Sequence, residues 1–184
     1  LCIPAYIGNK NVKVYYNLSK SLPTTLQFSV ANQELKDKYN IVSPEVILVD
    51  KTMKNNDINE MIDKIEDVDG ITFALSYSEF SNLGLPDDLI PEDVYNTFND
   101  GEYQMIIVNS KYEIATDELN NQIGEINDIV KTYDDKAIVA GEGPLMKDMV
   151  NISNTDFNNV NYTSIAVIFI IMVFVLGSIS LPVI

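Results

Sequence analysis

The sequence predicts an α+β chain, a split β-α-β domain (β-α-β-β-α-β) followed by a transmembrane α-helix. Three observations carry that expectation. Residues 162–184 contain no charged side chain. A strand–helix–strand order occurs twice, its two copies about sixty residues apart. The formal net charge of −15 rests wholly on residues up to Asp156, so a water-facing acidic part precedes an apolar one.

The chain opens on the apolar residues 1–8, which read as the tail of a truncated membrane helix over 1–10. Residues 12–16 are β-branched and aromatic, and so extended. Pro23 suits a helix's first turn, and Leu26, Phe28, Val30, Ala31 and Leu35 carry a first helix to about Lys38. Residues 45–51 form a compact apolar strand. Asp57, with Glu60 three residues on, resembles a capping box. Ile58, Met61, Ile62, Ile65 and Val68 then repeat at the spacing of one buried helical stripe. Gly70 ends that helix, and residues 71–77 return as a strand.

The second copy begins with a strand over 103–109. Thr116 caps a helix whose first turn holds Asp117 and Glu118, favourable at the positive end of the helix dipole. Leu119, Ile123, Ile126, Val130 and Tyr133 line one face, and residues 136–141 close the unit as a strand. Crossovers are right-handed and both helices share one face of the sheet. Between the copies, residues 78–101 are rich in turn formers, with a short helix through Val94, Tyr95 and Phe98. After Pro144 a connector over 144–161 starts as a helix at Leu145, Met146, Met149 and Val150. Its stretch dense in Asn, Ser and Thr is either continuous helix or a hinge. Residues 165–176 are apolar on every face, unlike an amphipathic helix. At about 1.5 Å per residue, residues 162–184 cover roughly 34 Å against a hydrocarbon core of about 30 Å.

Composition removes several functions. Histidine is absent, and with it the commonest general base and metal ligand. The lone Cys2 cannot form an internal disulfide. The acidic surface disfavours nucleic acid and anionic headgroups. No Ser/His/Asp set, Cys/His pair, phosphate loop or calcium loop is present, so no catalytic, cofactor or metal residue is expected and the chain is not read as an enzyme. Gly141-Glu142-Gly143 reads as a strand-to-helix turn. Asp87-Asp88 and Asp134-Asp135 read as solvated loop charges. The sequons at Asn17, Asn151 and Asn161 carry little weight in so asparagine-rich a chain. Phe73, Tyr77, Phe80, Tyr95, Phe98 and Tyr103 could face an apolar ligand, but packing explains them more simply. Ser164, Gly177, Ser178 and Ser180 are small residues of the kind that let membrane helices approach closely. The membrane segment has no carboxylate, so no proton relay resides on it.

Four passages resemble the MMPL-type transporters of the resistance–nodulation–division (RND) superfamily. Tyr16-Asn17-Leu18-Ser19-Lys20-Ser21-Leu22-Pro23 is similar to the passage following their first membrane helix. The duplicated strand–helix–strand core comes next. Gly141, Pro144, Leu145 and Asp148 resemble the passage before the second membrane helix. Val175-Leu176-Gly177-Ser178-Ile179-Ser180-Leu181-Pro182 resembles the close of that helix, with Gly177 where many relatives have arginine.

The resemblance implies a ferredoxin-like, extracytoplasmic porter domain over 11–143, with residues 11–160 on the outer face of the bacterial cytoplasmic membrane. It implies a multi-pass protein that exports lipids, amphiphiles or drugs at the expense of the proton-motive force. The partners implied are the bilayer, the remaining transmembrane bundle and a lipid or amphiphile substrate. The family's proton-relay residues lie on later membrane helices, so none carries over here. A membrane-anchored sensory or adhesion ectodomain, or a protein-translocation accessory subunit, remains the alternative.

Overall fold

The computed structural model describes residues 22–78 and 92–179. The expected segments 1–10 and 12–16 lie outside these residues, as do Phe80, the Asp87-Asp88 pair and Ser180. The chain divides into two compact units, Leu1–Lys147 and Asp148–Ile184.

In the first unit, helix α1 (Gln27–Tyr39) precedes strand β1 (Ser43–Asp50), helix α2 (Asn55–Glu66) and strand β2 (Ile71–Leu75). A short helix α3 (Glu92–Phe98) and strand β3 (Asn99–Asp100) lead into β4 (Tyr103–Ser110). Helix α4 (Asp117–Tyr133), strand β5 (Ile138–Gly141) and helix α5 (Glu142–Leu176) complete the order. The sheet order is β2-β4-β1-β5, with β3 appended to β4. Every pairing is antiparallel. The fold is therefore α+β, and this order is compatible with the ferredoxin-like arrangement.

Strand alternation decides which side carries the core. Along β1, Ser43, Glu45, Ile47 and Val49 are buried, and Val46 and Leu48 between them are half-buried. Ile47 stands opposite Ile106, and Glu45 opposite Val108. Ile58, Met61, Ile62 and Ile65 of α2 and Ile126 and Val130 of α4 join Ile47, Val49, Ile106 and Val108 in one cluster. Both helices thus lie on the same face, and each fully buried aliphatic side chain contributes about 1.5–3 kcal/mol. The opposite face carries Val46, Leu48, Phe73, Met105, Ile107 and Ile138, none of them fully buried.

Local chemistry sets the ends of these elements. The hydroxyl of Thr116 accepts from the Leu119 amide at 3.2 Å, the expected cap of α4. The expected capping box of α2 does not form: Lys54 is the N-cap, without a side-chain bond, and Asp57 sits in the first turn. The reason is the preceding turn. Asp50 Oδ1 accepts from the Thr52 amide and hydroxyl, and the Met53 amide bonds the Asp50 carbonyl, so the chain enters the helix earlier than Asp57. Helix α1 ends with Asn40 in the left-handed region, φ 55°, its amide returned to Lys36. The expected first helix forms, and no residue of α1 is buried. Between Ile71 and Phe73 the β2–β4 register shifts. There the Thr72 hydroxyl donates to the Asn109 carbonyl, while Asn109 Nδ2 donates to Thr72 and to Asn40. Gly70, at φ +93°, packs under the Tyr112 ring, where an added Cβ would lie 2.3 Å from Tyr112 Cε2.

Candidate functional site

Helix α5 is long and apolar enough to cross a membrane, and no part of its most apolar window is buried. Ile165, Phe174 and Val175 are 60%, 82% and 77% exposed. An apolar surface all around a helix over three turns is stable only against a non-aqueous medium. The Asn-rich stretch 151–161 is helical. Gly177 ends the helix at φ +61°, a left-handed position that glycine adopts without strain.

At its other end α5 starts in the core. Gly143, Pro144 and Met146 are buried. Gly141-Glu142-Gly143 is the expected strand-to-helix turn, as Gly141 closes β5 and Glu142 opens α5. Gly141 is held at φ +147°, where an added Cβ would meet the backbone of Glu45 at 3.3 Å. The close approach of Gly141 to its partner Glu45 on the neighbouring strand β1 therefore requires glycine.

Other residues singled out in the sequence take structural places. Tyr77 and Tyr95 meet edge to face, with ring centroids 5.0 Å apart. Phe98 is buried, Phe73 is half-buried, and Tyr103 is exposed at the sheet end. Among the described aromatics, Tyr77 and Tyr95 are a pair in ring contact. Asp134 is more than a solvated charge. Its Oδ2 accepts from the Asp50 amide and its Oδ1 from the Lys136 amide, tying the α4–β5 turn to the end of β1. Asn151 and Asn161 lie exposed on α5. No group of three or more metal-ligating side chains occurs among the described residues.

Glu45 is the residue that sequence reasoning missed. It is 2% exposed, and neither carboxylate oxygen has a hydrogen-bond partner. Burial pushes its carboxyl up to about 7, against a smaller pull downward from Lys147. The alternation Ser43, Glu45, Ile47, Val49 could have found it, since it places an acid at an inward position of a half-buried strand.

Along the chain, an α+β domain is thus followed by one unburied apolar helix. No match was found among curated proteins. The MMPL family model matches residues 47–184, from the first core strand through the apolar helix. That match selects a membrane transporter over a sensor, an adhesin or an accessory subunit. The chain belongs to the MMPL family, the MMPL-type transporters of the RND superfamily.

Proposed function

We propose that this chain is part of a proton-motive-force-driven exporter of lipids, amphiphiles or drugs, with residues 11–143 as its porter-like domain on the outer face of the cytoplasmic membrane. The observation that carries the reading is the family match over both the sheet and the unburied apolar helix. The domain works by moving, with no bond made or broken. Helix α5, buried in its first turn at Gly143 and running on to Leu176, supplies a mechanical link. Protonation elsewhere in the transporter displaces the membrane segment, and the helix passes that displacement to the domain. The sheet face bearing Val46, Leu48, Met105 and Ile107 offers apolar surface for an amphiphile.

Substitution Asn154→Pro tests the link. Proline removes the residue-154 amide from the helix ladder and its ring clashes with the residue-150 carbonyl, at a cost of about 3 kcal/mol. Export of lipids, profiled against a deletion strain, is expected to fall to the deletion level while the domain's circular dichroism stays unchanged. Undiminished export by a variant with that helix broken refutes the relay. A deletion strain with an unaltered profile of exported lipids and drugs refutes the exporter.

A further inference from the structure

The Glu45 carboxyl occupies a defined place. An added Cβ on Gly143 would lie 2.4 Å from Glu45 Oε1, 3.0 Å from Leu119 Cδ2 and 3.1 Å from Ile123 Cδ1. The carboxyl therefore rests directly on the first turn of α5, walled by two aliphatic side chains of α4. Its neighbours across the sheet are Val108 of β4 and Gly141 of β5, both uncharged. From α5, Lys147 acts on it through its charge, and Glu142 has an interaction of its own. The Ser43 hydroxyl, on the same side of β1, is likewise buried without a partner. Among the described residues neither carboxylate oxygen has a hydrogen-bond partner, so the packed arrangement suits the neutral acid.

We propose that Glu45 is a proton-binding site within the domain, and that its occupancy decides whether the first turn of α5 is seated on the sheet. With the proton bound, Gly143 and Pro144 pack against the neutral carboxyl. With the proton lost, a buried charge without hydrogen bonds is relieved when the turn lifts. Water then reaches the carboxylate, or the free amide of Gly143 turns toward it. Pro144 has no amide to offer. Burial places the titration near neutrality, with a midpoint of about 7. The site lies outside the apolar segment, and the proton binds there whatever the protein transports.

Hydrogen exchange on the full chain in lipid nanodiscs, between about pH 5.5 and 8.5, tests this once rates are corrected for intrinsic exchange. Amides of residues 143–150 are expected to lose protection at least tenfold as pH rises through the midpoint, while those around Ile126 do not. Glu45→Gln should abolish the transition. Lys147→Met should move it to higher pH, because the cation that favours the charged form is gone. Infrared difference spectra should show a protonated-carboxyl band at acidic pH that is missing in E45Q. A transition that persists in E45Q, its absence in the unaltered chain, or an unmoved midpoint in K147M overturns the proposal.

Discussion

Helices α2 and α4 and the apolar part of α5 use the same side chains for opposite purposes. In α2, Ile58, Met61 and Ile65 form one stripe, all at 0–1% exposure. In α5, Ile168, Ile170 and Ile171 point in all directions and are 57%, 53% and 55% exposed. The difference lies in the pattern of the residues, not in their type. An apolar stripe backed by Asp63 and Lys64 buries itself on a sheet, whereas a helix apolar all round has no side to present to water.

The sharpest way to break this contrast is one substitution made in both places. Ile126→Ala leaves a hole in a packed core, and the domain is expected to lose about 2–5 kcal/mol. Ile168→Ala removes a side chain that touches no core, and the domain's urea midpoint should not move. Equal shifts from the two variants would mean that α5 is packed like α4.

A comparable effect follows from pH. The folded-state value of Glu45, about 7, lies above its ordinary 4.5. Between these values the folded chain binds more protons than the unfolded one. The stability due to this group is therefore complete below pH 4.5 and falls by about 3 kcal/mol as pH rises to 7. In E45Q that decline should vanish from denaturation curves taken across the window.

The smallest effect compares the starts of α2 and α4. Thr116→Ala removes a hydroxyl that caps Leu119 and should cost about 1 kcal/mol. Asp57→Ala removes only a charge near the dipole, worth about 0.5 kcal/mol, because Asp57 caps nothing. A loss from Asp57→Ala as large as that from Thr116→Ala would restore the capping box.

The legible part of the fold was whatever repeats along the chain. Stripes such as Leu119, Ile123, Ile126 and Val130 and the cap at Thr116 are local patterns, and the structure keeps them. The departures came where one segment depends on another. The turn at Asp50–Thr52 moved the start of α2. The apolar residues of α1 are helically spaced, and the helix forms, yet none of them is buried. The candidate site was hardly legible, since it depends on a contact between residues 45 and 143.

The sequence alone determined that an acidic α+β domain is joined to a membrane helix, because charge and hydropathy act residue by residue on the surrounding medium. The strand order β2-β4-β1-β5 and the seating of Gly143 on the Glu45 carboxyl were decided only by tertiary structure. Both arise from long-range pairing, in which the solvent a side chain meets is set by residues far away in the chain.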